Sequence, residues 1–440
     1  MEAVDALIHA RWIVPVEPEG RVLEHHALAM HRGRIVALLP SGEAHRRFQA
    51  DEDIMLPRHA LIPGLVNAHT HAAMTLLRGV ADDLPLMPWL QDHIWPAENR
   101  WVSADYVRDG TELAMAEMLR SGTTCFNDMY FFPEATAQAA HHSGMRASLG
   151  LIVFDFKSPW GGGPDEYIHK GLELRDQYKN DPLLSFAFAP HAPYTVSDPW
   201  LTKLRALADE LDLPVHTHVH ETAGEVDESL KKHGKRPIAR LADLGLYTRA
   251  LLAVHMTQLG DAEIAETARC GVNVIHCPES NQKLASGHCP VAKLLKAGVN
   301  VALGTDGAAS NNDLDMFGEM RSAALLAKDV AGDATALPAA ATLTLATLNG
   351  ARALGLDKDI GSLAPGKWAD ITAVDLGAPE TQPVYDVFST LVYSAGRQHV
   401  SDVWVAGKRL LQDRVLTQMD LPAILERAES WRQRIASKTP

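Results

Sequence analysis

A chain of 440 residues with 46% apolar side chains can bury a large core, and its length fits one large α/β unit plus a smaller one. A net charge of −14 and a pI of about 5.8 exclude a polyanion as the main partner, because phosphate binding needs clustered Lys and Arg. Small-molecule ligands stay open.

The four cysteines, Cys125, Cys270, Cys277 and Cys289, form no Cys-x-x-Cys and match no zinc-knuckle spacing. Thiols in a reducing compartment are the expectation. The start, Met1-Glu2-Ala3-Val4-Asp5, is acidic and leads into no long apolar core, so a signal peptide is not expected. No run approaches the roughly 18 uncharged apolar residues of a membrane span. The expected location is cytoplasmic, without a membrane partner.

Residues 1–60 read as β structure. Ala6–Val16 is an apolar run, and Leu23–Met30 and Ile35–Leu39 flank a turn at His31-Arg32-Gly33-Arg34. From 61 onward, short apolar runs alternate with helical patterns. Eight runs read as strands: Leu61–Ala68, Thr123–Asp128, Arg146–Phe154, Leu184–Ala189, Pro214–Val219, Leu251–His255, Val272–His276 and Val299–Gly304. Between them, Leu201, Leu204, Leu207 and Leu211 keep helical spacing after Ser197 as cap. Asp261 is expected to cap a second helix that Gly271 closes, and Gly298 to end a third. Strand–helix alternation repeated eight times predicts a closed (β/α)8 TIM barrel over residues 61–360; fewer units would leave an open sheet. A helix is expected over Leu343–Leu354. Ile371–Val374 and the hairpin around Gly407 then add strands, and residues 420–437 read as a terminal helix. Neither end has enough strands for its own sheet. Residues 1–60 and 361–440 are therefore expected to pair into one small β-sandwich.

Several strands end in side chains capable of chemistry. The first ends in His69 and His71, the fourth in His191, and the fifth carries His216, His218 and His220 before Glu221. The sixth ends in His255, the seventh in His276 and the eighth in Asp306. A barrel gathers all these ends on one face. His69 and His71, two apart, share one side of their strand. With one histidine of the fifth strand and Asp306 they reach the ligand count of a hydrolytic metal site. Strand parity alone cannot choose among His216, His218 and His220. Asp128 ends the second strand without a motif and reads as a turn cap. His276 reads as a loop-positioning residue, and Trp89 as core in preference to a substrate lid.

Pro63-Gly64-Leu65-Val66-Asn67-Ala68-His69-Thr70-His71, His218-Val219-His220-Glu221-Thr222 and Leu303-Gly304-Thr305-Asp306-Gly307-Ala308-Ala309-Ser310-Asn311-Asn312 resemble the amidohydrolase superfamily. More narrowly they resemble its 5'-methylthioadenosine/S-adenosylhomocysteine deaminases, in order and over essentially the whole chain. The resemblance implies one divalent metal ion, zinc by ligand type, held by His69, His71, His218 and Asp306. It thereby selects His218 through the His-x-x-Glu pattern. It also implies Glu221 as proton shuttle, His255 beside the attacking water, Glu98 on the ribose hydroxyls and His191 against the purine. The implied reaction is hydrolytic deamination of an adenine nucleoside. The expected partners are that nucleoside and further copies of the same chain, with no nucleic acid.

One departure bears on the 5' substituent. Some members carry arginines after the third strand that suit a homocysteine carboxylate. Here Leu151–Lys170 contains only Lys157 and Lys170, around the neutral stretch Ser158-Pro159-Trp160-Gly161-Gly162-Gly163-Pro164. Lysine does not replace arginine in bidentate carboxylate binding. Rival readings are deamination of guanine or a pterin, displacement on a triazine, and a non-catalytic binding barrel. A ribose-binding Glu98 would be idle for a free base or triazine, and a binding barrel predicts gaps in the ligand set, of which there are none.

Overall fold

The structure, a computed structural model, describes residues 1–437. The chain opens with β1 (Glu2–Ile13), β2 (Leu23–His31), β3 (Arg34–Pro40) and β4 (Phe48–Pro63). Eight strands then follow in parallel: β5 (Leu65–Thr70), β6 (Thr123–Asp128), β7 (Arg146–Val153), β8 (Leu184–Pro190), β9 (Val215–Val219), β10 (Leu251–His255), β11 (Asn273–His276) and β12 (Val301–Leu303). The chain returns through β13 (Ile371–Asp375), β14 (Val400–Val405), β15 (Lys408–Gln412) and β16 (Val415–Leu416). β5–β12 form the barrel, each strand beside the next in sequence. Every residue of β5, β6, β7 and β9 is buried. Strands covered on both faces read as unbroken apolar runs, which is why they were visible without alternation.

The seam between β5 and β12 is made by one side chain and one close approach. Asn67 Oδ1 accepts from Thr305 N at 3.0 Å, and its Nδ2 donates to Thr305 Oγ1 at 2.7 Å. Asp306 N donates to His69 O at 3.1 Å. A Cβ on Gly304 would lie 2.8 Å from the backbone of His69, so only glycine lets the strands meet here.

Both chain ends pair into one sheet, in the order β16-β15-β14-β13-β4-β1-β2-β3. β1 runs parallel to β4 and antiparallel to β2, and β13 runs antiparallel to β4. The sheet closes over a core that joins Ile8, Ile13, Leu28 and Ile35 to Leu61, Ile371 and Trp404, which is the sandwich expected from both termini. A second small core, with Leu7, Leu39, Ala44 and Phe48, lies under the helix Ser41–Arg47. Arg146, opening β7, pairs with Asp370 at 2.9 Å with both side chains buried, and so ties barrel to sheet. The terminal helix Leu421–Ala436 is capped by Asp420 and docks through Trp431 Nε1, which donates to Asp109 Oδ2 at 2.9 Å.

Four local expectations are corrected. Leu61–Pro63 belongs to β4 and pairs with β13, not with the barrel. The run is broken at Gly64, where a Cβ would lie 2.1 Å from the Thr124 hydroxyl. The cap of the helix Asp261–Cys270 is Gly260, not Asp261, and the Glu263 carboxylate accepts from Gly260 N at 2.9 Å. Ser197 precedes the helix Asp198–Leu211 but accepts no capping bond through its hydroxyl. The single helix expected over Leu343–Leu354 is two, Ala339–Leu345 and Leu348–Ala353. Between them Ala346 O is taken by Val66 N at 2.8 Å. No helix among the described residues is long and apolar enough to cross a membrane.

Candidate active site

The ends of β5, β9 and β12 bring His69, His71, His218 and Asp306 together, with one donor atom from each lying within 4.8 Å of the others. Asp306 Oδ1 is 3.3 Å from His69 Nε2 and 3.2 Å from His71 Nε2, and His218 Nε2 is 3.2 Å from His69 Nε2. The outward nitrogens are committed elsewhere. His71 Nδ1 donates to Met129 O at 2.6 Å and His218 Nδ1 to His191 O at 2.7 Å, so both rings turn an Nε2 lone pair inward. His69 Nδ1 lies 2.9 Å from His216 Nε2, behind which the Asn127 side-chain amide sits at 3.2 Å. His216 therefore backs a candidate ligand and is not part of the quartet, and His220 points away to Gln258 O at 3.1 Å. On Asp306, Gly307 N donates to Oδ1 at 2.9 Å, while the hydroxyls of Ser280 and Ser310 hold Oδ2 at 2.7 and 2.9 Å.

The electrostatics suit a cation. Burial lowers His69 to about 4 and holds His218 and His216 well below the usual range, leaving neutral rings. At His71 burial opposes charge, yet the hydrogen bond to Asp306 and its field push the ring up to about 9, so an ion taken up here replaces the Nε2 proton and frees that lone pair. Asp306, although buried, is kept ionised by His69 and His71. Three imidazole nitrogens and one carboxylate, with two tautomers fixed by backbone carbonyls, form a donor set that fits zinc or a similar divalent ion.

Around the quartet, Glu221 and His255 face each other at 3.8 Å. His255 Nδ1 donates to Asn281 Oδ1 at 2.8 Å and so presents Nε2 to the site. Burial raises the Glu221 carboxyl, partly offset by His255. The backbone is left-handed at His220, His255 and Asp306, with φ of 53°, 76° and 59°. Strained backbone at three strand ends on one face is what a positioned reactive site requires.

His71, His218 and Asp306 of the quartet line a cavity of about 340 Å³, within the range of small-molecule sites, and His69 is buried beside them. Glu98, in the helix Trp95–Trp101, lines it and accepts from the Tyr130 hydroxyl at 2.8 Å. Burial raises the Glu98 carboxyl to about 7, against the pull of Tyr130 and His71. His191 lines the same cavity, its ring 5.0 Å from that of Phe154, and burial lowers it to about 3. Asp128 accepts from Ala72 N at 2.8 Å and holds the turn after His71, as a capping residue does. His276 is buried and does not line the cavity. Trp89, read as core, does line it, from a one-turn π-helix after β5. Tyr130, Phe131, Phe154, Phe156 and Tyr194 line it too and were not anticipated. Only the position of Tyr130 and Phe154, just past the ends of β6 and β7, could have marked them.

A family model described as "Amidohydrolase family" matches residues 60–410. The chain belongs to the amidohydrolase family. Among amidohydrolase relatives, it is 52% identical over 435 residues to a 5-methylthioadenosine/S-adenosylhomocysteine deaminase of Teredinibacter turnerae, covering 99% of this chain and 98% of that one. It is 56% identical to the solved structure of an adenosine deaminase from Xanthomonas campestris with bound zinc, with a TM-score of 0.98 and 99% of each chain covered. An atrazine chlorohydrolase from Arthrobacter aurescens shares the fold at 23% identity, with a TM-score of 0.91 over 97% of this chain and all of that one.

Proposed function

We propose that this protein hydrolytically deaminates adenine nucleosides, 5'-methylthioadenosine foremost, to the inosine analogue and ammonia. One observation carries the reading. A single cavity is lined by His71, His218 and Asp306 of the cluster together with Glu221 and His255, and also by a buried carboxylate braced by a tyrosine, Glu98 with Tyr130. The first grouping suits hydrolysis at a ring carbon. The second suits a pair of vicinal hydroxyls, which a free base or a triazine lacks. The relatives' names agree with this chemistry.

His69, His71, His218 and Asp306 are the residues that would hold the ion. A divalent ion held there supplies Lewis acidity and makes water nucleophilic at neutral pH. Asp306 and His255 border the water, orient it and take its proton as the C6–O bond forms. Glu221, whose carboxyl burial pushes up and so makes a better proton donor, gives a proton to N1 of the purine. That carboxylate then takes the C6 hydroxyl proton and relays it to the exocyclic amine, the C6–N bond breaks to leave a C6 carbonyl and ammonia, and the first water proton, held by Asp306 and His255, returns to Glu221. Glu98 accepts from both ribose hydroxyls, and His191 packs against the purine, so binding energy becomes positioning.

Phe154, Phe156, Trp89, Leu86 and Lys157 also line the cavity, and we assign them to the side that takes the 5' substituent. Lys170 is committed to Trp160 O at 2.5 Å and Glu166 at 2.6 Å. An apolar methylthio group matches this side better than a zwitterionic homocysteine. Steady-state rates on 5'-methylthioadenosine, adenosine and S-adenosylhomocysteine test the assignment. Methylthioadenosine is expected to have the highest kcat/KM, and a highest value for S-adenosylhomocysteine would reject the reading of this side. We also propose that the protein works in the cytoplasm, as a homo-oligomer and in purine salvage.

A further inference from the structure

A second group of metal-ligating side chains lies outside the barrel cavity, in the sheet built by the chain ends. His9 comes from β1, Asp53 from β4 and His45 from the last turn of the helix Ser41–Arg47. The parallel pairing of β1 with β4 sets Leu7 opposite Asp53 and His9 opposite Met55, so His9 and Asp53 are near neighbours. Asp53 bridges the Nε2 edges of the two rings. Its Oδ1 is 3.2 Å from His9 Nε2 and its Oδ2 is 3.0 Å from His45 Nε2. The rings lie 4.4 Å apart, tilted by 32°, and one donor atom from each residue lies within 4.8 Å of the others.

His9 is the informative member. It is only 2% exposed, and neither ring nitrogen has a hydrogen-bond partner. Buried polar groups are nearly always satisfied, so an orphaned imidazole aimed at a carboxylate and a second imidazole calls for an explanation. A proton shared with Asp53 is one explanation. An ion shared by His9, His45 and Asp53, whose donor atoms already converge, is the other. His45 and Asp53 are half exposed, which gives an ion a path in and water for its remaining positions. Asp51 and Glu52 beside Asp53 add negative charge nearby.

We propose that His9, His45 and Asp53 form a second divalent-metal site, separate from the barrel site. Two imidazoles and one carboxylate select zinc, cobalt or nickel over calcium or magnesium, which take oxygen ligands. The ion clips the helix Ser41–Arg47 to both strands. None of the three residues lines the barrel cavity, so the site acts on the sheet and not on catalysis.

The test titrates Zn2+ into the full-length protein already carrying its tightly held barrel ion, with calorimetry and metal analysis as readouts. Wild type is expected to take up one further equivalent at micromolar free zinc. His45→Ala and Asp53→Ala alter exposed side chains and should fold. Each is expected to weaken that second binding at least tenfold while keeping the barrel ion and the wild-type kcat/KM. Saturation of wild type at one ion, or a second equivalent that persists unchanged in both variants, would overturn the proposal. Neither result bears on the barrel site, which the activity and the first equivalent report separately.

Discussion

At the scale of single residues, the two glutamates of the cavity divide the work in the proposed reaction. There Glu221 acts in the chemical step because N1 must gain a proton as oxygen adds to C6. Glu221→Gln removes the proton source and leaves the quartet intact. Its kcat is expected to fall by about 10²–10⁴-fold with metal content near wild type. A near-normal kcat would place the shuttle elsewhere. Glu98 acts in binding, so Glu98→Gln is expected mainly to raise KM for nucleosides. An unchanged KM and kcat would remove it from the ribose. The raised pKa of Glu98 adds a pH dependence with a definite sign. Its carboxylate loses charge as pH falls through about 7, and with it part of the grip on the hydroxyls. The ratio of wild-type to Glu98→Gln kcat/KM should therefore shrink from pH 8 to pH 6, and a ratio that is flat or grows would contradict the assignment.

Residues of this kind were legible in unequal measure. His69, His71, His255 and Asp306 stood out because strand ends converge in a barrel, whatever their separation in sequence, whereas His218 was chosen through the His-x-x-Glu pattern of the resemblance. His216 and His218 share strand parity. What separates them is reach, since His216 stops behind His69 while His218 faces it. Tyr130 and Phe154 carry no motif, and an aromatic residue after a strand is ordinarily core. Their exposure to the cavity depends on loops whose path no spacing encodes.

At the scale of elements, the barrel strands were readable and the joints were not. Leu61–Pro63 and β5 form one apolar run because two different sheets bury them, and only the clash that any side chain on Gly64 would meet shows where one ends. The helices Ala339–Leu345 and Leu348–Ala353 likewise keep one apolar pattern across a break made by a tertiary hydrogen bond. The seam offers a test of this reading. Gly304→Ala sets a Cβ against the His69 backbone, which carries a candidate ligand. The variant is expected to lose metal affinity and stability together, by about 1–3 kcal/mol for overpacking. Wild-type metal affinity in a stable Gly304→Ala protein would show that the seam tolerates expansion.

At the scale of the whole molecule, the two chain ends meet in one sheet and lock onto the barrel through several charged contacts. The Arg146–Asp370 pair is the most deeply buried of them. Arg146 also donates to Pro182 O at 2.8 Å, and Asp370 Oδ1 accepts from Ala406 N at 2.7 Å. Replacing one partner strands the other, so Arg146→Met is expected to cost about 3–5 kcal/mol in denaturant unfolding while kcat at low temperature stays near wild type. A loss below about 1 kcal/mol, the range of exposed pairs, would mean that the sheet is held by its apolar contacts alone.

In the proposed function, a candidate metal quartet and a carboxylate assigned to the ribose serve one cavity. Ammonia release by the metal-loaded protein, measured side by side on 5'-methylthioadenosine, adenosine, adenine and guanine, tests that pairing most directly. The two nucleosides should be turned over with kcat/KM far above either free base. Faster release from adenine or guanine than from both nucleosides would contradict the account.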